Sequence, residues 1–505
     1  MAVVERSEQQ TSANEMIDVD DPRTDEIIGQ IPVSTPEQVA EAVERARFAQ
    51  THWAKLTVNE RTRFVRRWLD LLWERQSEGI KVLRRENGKT DGSAFLEFVT
   101  VDNIGQYYVH NAARFLKAER RPSLFPGVQR ATVYHKPHGV VGIISPWNYP
   151  FTLPFMDMLP ALIAGNTVVL KPSEITPFIA EWGVNLMHEV GVPREVVQVI
   201  HGDGRTGAAL VDNADYIQFT GSTATGRKVG KAAADRLIPY TLELGGKDPS
   251  IVLRDADPEM TAVGLIQGAF ENNGQMCISI ERVYVEDAIY DELLERIQHH
   301  AQEISISPRD GMDVIVGSMT NRTELERTQA HLDDAVAKGA KIIHGGNARP
   351  DLGPLFFEPT IIVDVDHSMD IMRDETFGPV LPIMKVSNEQ EAIRLANDTT
   401  YGLSASIFSR NLNHAEELAQ QIDSGDVSIN RAQYATATPS VPTGGQRTSG
   451  SGRRNGKEGL LKYTAAQTVI ADNLIGAQND LQIATPFVVQ LLKTLRLIRR
   501  YVPFI

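Results

Sequence analysis

From Val140 onward, short β-branched runs alternate with helical stretches, and this alternation narrows the possible folds more than any other feature of the chain. Val140 to Ile144, Val168 to Leu170, Val196 to Ile200 and Tyr216 to Phe219 read as buried strands with helical segments between them. A second set begins after Pro249: strand Ser250 to Leu253, helix Pro258 to Asn272, then strands Arg282 to Glu286, Thr360 to Val363, Pro382 to Val386 and Ser404 to Ser409. Fully apolar strands separated by helices require parallel pairing with crossover connections. The predicted class is α/β, with two such domains, which suits a chain of 505 residues because single cores stop growing well below that length.

Before Val140 the chain reads as helical after a short entry segment. Thr35-Pro36-Glu37-Gln38 predicts a helix start, with Thr35 as N-cap, Pro36 at the first helical position and Gln38 reaching back. Further helices are predicted near Asn59 to Gly79 and Gly92 to Lys117, while Thr438 to Gly456, dense in Gly, Ser, Thr and Arg, reads as loop.

Two glycine motifs follow strands. Gly202-Asp203-Gly204-Arg205-Thr206-Gly207 matches G-x-G-x-x-G, but no acidic residue stands at the tip of the next strand as a dinucleotide fingerprint requires. Gly221-Ser222-Thr223-Ala224-Thr225-Gly226 opens a helix, where backbone N–H groups and a hydroxyl suit a phosphate. It lacks the Lys-Ser/Thr end of an ATP-binding loop. Lys171-Pro172-Ser173-Glu174 ends a strand, a position from which a carboxylate can take hydrogen bonds from ribose hydroxyls, or simply stand solvated.

Cys277 is the only cysteine. It can form no intrachain disulfide and no Cys-rich metal site, so it is either a small buried residue or a nucleophile. A net charge of −14 argues against nucleic acid as partner, and cysteine usage suits the cytoplasm. Met1 to Glu15 has no signal-peptide pattern, and no apolar run reaches membrane-spanning length.

Seven motifs then occur in order: Ser145-Pro146-Trp147-Asn148-Tyr149-Pro150, Lys171-Pro172-Ser173-Glu174, Phe219-Thr220-Gly221-Ser222-Thr223, Glu243-Leu244-Gly245-Gly246-Lys247, Gly274-Gln275-Met276-Cys277, Glu375-Thr376-Phe377-Gly378-Pro379 and Ser449-Gly450-Ser451-Gly452-Arg453. From about Ile27 to Thr468 the chain resembles the aldehyde dehydrogenase superfamily. The resemblance implies a Rossmann-type cofactor domain (1–118 and 139–246), an α/β catalytic domain (247–445) and a small β oligomerisation arm (119–138 with 463–473), followed by an extension (474–505).

The resemblance also implies roles. Cys277 is the nucleophile, Glu243 the general base and Asn148, with the Cys277 backbone N–H, the oxyanion donor. Cofactor contacts fall on Ser145, Trp147, Asn148, Lys171, Ser173, Glu174, Gly204, Gly221, Ser222, Leu244, Glu375 and Phe377. No metal is implied. A glutamate at 243 points to hydrolysis rather than acylation of coenzyme A. A free thiol has a pKa of about 8.5, so some thiolate is expected near neutral pH. Glu174 favours NAD, since a carboxylate pairs with a free 2′-hydroxyl, while Lys171 and Arg227 leave room for NADP. A non-catalytic member of the fold is the alternative of a different class, against which the intact Cys277, Glu243 and Asn148 argue.

Within the superfamily the chain looks most like actinobacterial succinate-semialdehyde dehydrogenases, by Gly274 to Glu286 and Gly452 to Thr464. That implies succinate semialdehyde or a related aldehyde, with broad aliphatic or aromatic specificity as the alternative. The two arginines that grip the substrate carboxylate in that class are replaced here by Glu271 and Met156. Phe151, Phe155 and Met156 suggest an apolar pocket, joined by Met276, Ile278 and Tyr434, and Arg431, Tyr434 and Ser440 offer substitute polar partners. Thr443 stands where the family usually has Phe, which bears on how that loop packs.

Beyond the family's ordinary end, Val488, Leu491, Leu492, Leu495, Ile498 and Val502 follow helical spacing, with Lys493, Arg496, Arg499 and Arg500 clustered toward another side. Packing against its own subunit or a neighbour in a homodimer or homotetramer is the favoured expectation, and peripheral membrane contact the alternative.

Overall fold

The computed structural model describes residues 15–123, 129–472 and 486–501. Two large sheets dominate those residues. The first has six strands in the order Gly450–Ser451, Tyr240–Glu243, Tyr216–Thr220, Val140–Ile144, Thr167–Lys171, Val197–Val199. All its pairs are parallel except that of Gly450–Ser451 with Tyr240–Glu243. The chain leaves Val140–Ile144 toward one edge and returns to its other side at Tyr216–Thr220, which makes the crevice between those two strand ends a topological switch point.

The second sheet has seven strands: Lys341–His344, Thr360–Val363, Val380–Val386, Ile280–Glu286, Asp248–Val252, Ser404–Phe408 and Asp426–Ile429, antiparallel only at the first pair. A third sheet pairs Thr464–Asp472 with Gln129–Pro137 in unbroken antiparallel register, Thr464 opposite Pro137 and Asp472 opposite Gln129, and adds Glu119–Arg121. Residues 124–128 and 473 of the expected arm lie outside the described residues.

The N-terminal part departs from the helical expectation. An antiparallel hairpin, Met16–Asp21 with Glu26–Pro32, precedes the first helix. The capping box at Thr35 is present in both directions, and Pro36–Trp53 follows it. The single helix expected near 59–79 is two, Val58–Glu74 and Gln76–Asn87, broken at Arg75. Gly79, expected as a helix end, lies inside the second. A Cβ there would sit 2.6 Å from Phe98 and 2.7 Å from Trp182, so this glycine marks close packing rather than a stop.

Phe151 and Phe155 correct a further expectation. Both are fully buried, packed against Trp68, Phe98 and each other, and neither lines the two cavities that meet at Cys277. They sit one helical turn apart at the start of Thr152–Ala164, and Met156, the next residue, packs in the same core yet also reaches the larger cavity.

At the C-terminus, Pro486–Tyr501 is a helix on which Val489, Lys493, Arg496, Leu497, Ile498 and Arg500 are exposed. The rest of the expected extension, 474–485 and 502–505 with Val502, lies outside the described residues, as do residues 1–14. No described helix is long and apolar enough to cross a membrane.

Candidate active site

The carboxyl ends of the first sheet, at Ile144, Thr220 and Glu243, meet the amino ends of the second, at Asp248, Ile280 and Val380, around Cys277. Its loop is shaped by local backbone chemistry. Helix Pro258–Phe270 ends two residues earlier than its sequence pattern suggests, and Asn272, Asn273 and Gly274 follow at φ +49°, +58° and +69°. Asn and Gly are the residues that enter this left-handed region at least cost. A Cβ at Gly274 would lie 2.1 Å from the Gly378 carbonyl oxygen, so only glycine fits. The turn is tied on every side. Asn273 Nδ2 donates to Gly317 O at 2.9 Å, Gln275 Nε2 to Asn272 O at 3.1 Å, and Thr320 N to Gln275 Oε1 at 2.9 Å.

Asn148 follows the central strand of the first sheet and reaches this loop. Its Nδ2 donates to Gln275 O at 3.0 Å. An amide nitrogen carries two hydrogens, so one N–H remains for the cavity. Lys89 Nζ and Asn272 Nδ2 hold the Asn148 carbonyl at 3.0 and 3.1 Å, and Lys89 itself is fixed by a buried ion pair with Glu97.

Glu243 ends the strand next to the switch point. The motif Ser449–Arg453 explains itself here: Gly450 pairs with Glu243 across an antiparallel bridge, and Leu244 N donates to Ser449 O at 3.0 Å. Burial pushes the Glu243 carboxyl up to about 7, against the pull of Arg454 and Lys462. Its Oε1 is buried without a hydrogen-bond partner. Burial, with Glu375 and Asp248 nearby, also pushes the Cys277 thiol up to about 12. Carboxylates and low dielectric both oppose a further negative charge here, which works against the thiolate expected near neutrality.

Two cavities meet at Cys277, Asn148 and Glu243. The first, about 140 Å³, is bounded by Trp147, Gly221, Ser222, Leu244, Glu375 and Phe377, among others. Ser222 caps helix Thr223–Asp235, so a helix N-terminus opens there. The turn carrying Glu375 is set by a buried pair, Lys247 with Glu281, whose carboxylate takes the Thr376 and Phe377 N–H groups at 2.9 Å. Phe377 is held at φ +57° against Trp147. Ser145 Oγ is buried and unpartnered beside this crevice. A switch-point crevice with a capped helix start, bare Gly221 and unpaired polar atoms fits the nicotinamide half of a dinucleotide.

Lys171, Ser173, Glu174 and Gly204 lie outside this cavity, at the ends of the next strands of the same sheet. Lys171 and Glu174 pair at 2.7 Å. Gly204 starts helix Gly204–Asn213, capped by Asp203.

The second cavity, about 450 Å³, runs from Cys277 away from the crevice, and Met156, Glu271, Met276, Ile278 and Tyr434 line it. Glu271 is pushed upward by burial and accepts a long 3.5 Å contact from Tyr149 Oη. Arg431 stands over the Tyr434 ring at 4.9 Å. Ser440 is not among the lining residues. Thr443 is buried and tied both ways to the Arg454 backbone, at 3.0 and 2.7 Å. The loop therefore packs through its backbone where the family has an aromatic ring.

Sequence reasoning missed the supports: Lys89–Glu97, Lys247–Glu281 and Asp157 bridging Arg454 and Lys462. Lys247 closes one motif already singled out and Arg454 follows another, but their partners are distant in sequence.

A switch-point crevice opening onto a lone thiol beside a buried carboxyl and an amide has the parts of an oxidoreductase site. The comparisons make the assignment specific: the aldehyde dehydrogenase family pattern matches residues 9–469, and this chain belongs to that family as an aldehyde dehydrogenase. A Mycobacterium ulcerans protein that carries the name succinate-semialdehyde dehydrogenase (NADP+) 2 is 43% identical over 89% of this chain and 88% of its own length. A Methylomonas protein named 4,4′-diapolycopene aldehyde oxidase is 39% identical over 87% and 82%. Betaine aldehyde dehydrogenase from Staphylococcus aureus, solved with NAD+, superposes with a TM-score of 0.87 at 32% identity, covering 92% of this chain and 93% of that one.

Proposed function

We propose that the enzyme oxidises an aldehyde to a carboxylic acid through a thioester on Cys277, with NAD(P)+ as oxidant. The meeting of Cys277, Asn148 and Glu243 where the two cavities join carries this reading. The dinucleotide, when bound, supplies the hydride acceptor. Trp147, Ser222, Leu244, Glu375 and Phe377 would hold its nicotinamide half, and Lys171, Ser173, Glu174 and Gly204 its adenosine half. The Lys171–Glu174 pair keeps a carboxylate at the expected ribose position, which supports NAD over NADP.

Cys277 Sγ attacks the carbonyl carbon as the thiolate, its proton having passed to solvent water, and the Glu243 carboxylate stays unprotonated for the later step. The free Asn148 N–H and the Cys277 backbone N–H donate to the oxyanion. Once hydride has left the carbon, the oxyanion collapses to the thioester. Glu243 then takes a proton from water, whose oxygen attacks the acyl carbon. The C–S bond breaks, and the acid leaves with Cys277 restored.

For the substrate, Glu271 and Met156 in the wall favour a neutral aldehyde, since a carboxylate without a cation or several donors is costly to bury. Succinate semialdehyde, the substrate in the mycobacterial relative's name, is the second reading, favoured by Arg431 at the same wall. An absorbance assay for NADH with an aldehyde panel separates them. Butanal should match or exceed succinate semialdehyde in kcat/KM, and Glu271→Arg should raise succinate semialdehyde about tenfold or more, as one charge-assisted hydrogen bond allows. A hundredfold preference for succinate semialdehyde that Arg431→Ala erases would establish the second reading instead. Absence of turnover on every aldehyde would overturn the function.

The antiparallel arm is proposed as the contact of a cytoplasmic homodimer or homotetramer, because its outer strand exposes Val469 and Ile470. Helix Pro486–Tyr501 is proposed to pack on a neighbouring subunit, with an anionic membrane surface as the alternative occupant.

A further inference from the structure

The wall of the larger cavity is one face of helix Pro258–Phe270. Met260, Val263, Gly264, Gln267, Gly268 and then Glu271 line it at steps of three and four, the spacing of a single helical stripe. The stripe changes character along its length. At the inner end it reaches Glu271 beside Met156 and Met276. At the outer end it is apolar and open to solvent: Met260 is 70% exposed and Val263 44%. Facing elements add the same kind of surface, with Leu96 at 44% and Tyr434 at 53% exposed, both on the same cavity.

Single exposed apolar side chains need no explanation. Four that converge from three separate segments on the mouth of the cavity that holds the nucleophile do. They form an apolar collar continuous with the path to Cys277. A small polar aldehyde held at Cys277 would leave this collar bare in water. A long hydrocarbon tail would cover it and remove its own methylenes from water at the same time.

We propose that the collar of Leu96, Met260, Val263 and Tyr434 binds the distal hydrocarbon of the substrate, and that the preferred substrates are long-chain, lipophilic aldehydes. The proposal rests on the aldehyde-oxidation reading of Cys277 and adds a second binding region to it. Each methylene transferred contributes about 0.8 kcal/mol, which is about fourfold in kcat/KM.

The test is a series of straight-chain aldehydes from propanal to hexadecanal, assayed by NADH formation with the full-length enzyme. The expected result is a rise in kcat/KM of several-fold per methylene that continues beyond octanal. In the double variant Met260→Gln, Val263→Thr, and separately in Leu96→Gln on a different helix, the ratio of dodecanal to propanal kcat/KM should fall about tenfold. All three side chains are at the surface, so each variant keeps its core. A plateau at or before hexanal overturns the proposal, as does a dodecanal-to-propanal ratio that neither variant moves. Good turnover of propanal with no gain from chain length sinks the collar alone. No turnover of any aldehyde, short or long, sinks the reading of Cys277 and the collar with it.

Discussion

Glu243 shows how a single residue acquires its chemistry from its surroundings. A solvated glutamate is too weak a base at neutral pH to take a proton from water efficiently. Burial raises this one to about 7, and the unpartnered Oε1 leaves a lone pair free. In the proposed base role the carboxylate is the working form, so thioester hydrolysis should rise with pH through about 7 and level above it. Steady-state kcat measured from pH 5 to 9 should show that inflection, and a flat profile would count against Glu243. Glu243→Gln should still release a burst of NADH in stopped flow and then stall, because hydride leaves before water is needed. Normal steady-state turnover in this variant would assign the base elsewhere. Cys277→Ala should show neither burst nor turnover, and Asn148→Ala should lose about 10²–10³ in rate if its free N–H holds the oxyanion.

At the scale of elements, the site depends on where helices stop and which face they turn inward. The left-handed run at 272–274 swings the chain from the end of one helix to Cys277. Gly274→Ala should therefore fold, yet lose most activity, since its new methyl group meets the Gly378 carbonyl and moves Cys277. Circular dichroism alongside the kinetic assay would separate misplacement from unfolding. Phe151 and Phe155 carry the opposite lesson. Their sequence position beside the Trp147-Asn148 motif suggested a substrate wall, but they are core. Phe155→Ala should cost about 3–5 kcal/mol in a denaturant titration, the usual price of emptying an aromatic site. A change in KM alone, with stability intact, would restore the pocket reading.

For the whole molecule, the carboxyl ends of the first large sheet face the amino ends of the second across Cys277, and the small antiparallel sheet has an exposed outer strand. An edge strand carrying bare Val469 and Ile470 invites pairing or aggregation unless something covers it. Placing lysine at both positions should lower the oligomeric state seen by analytical ultracentrifugation and leave the sheets folded. An unchanged sedimentation coefficient would mean that assembly uses another face.

Much of this architecture was legible in one dimension. Strands such as Val140–Ile144 and Thr360–Val363 emerge from their own side chains, because a strand buried on both faces must be apolar throughout. The capping box at Thr35 is equally local, as are the motifs whose residues meet where the two cavities join, since those motifs are short and contiguous. Elements whose signal is distributed were missed. The hairpin at 16–32 mixes Ile and Val with Asp, Glu and Gln and is half exposed, and the two-residue strand Gly450–Ser451 exists only because Glu243 lies opposite. Which side of a helix faces the core, which carboxyls lose their water and which distant residue pairs with Lys89, Lys247 or Asp157 were decided by tertiary packing alone. Burial and long-range pairing set acidity and side-chain direction, and neither is encoded in the spacing of residues along the chain.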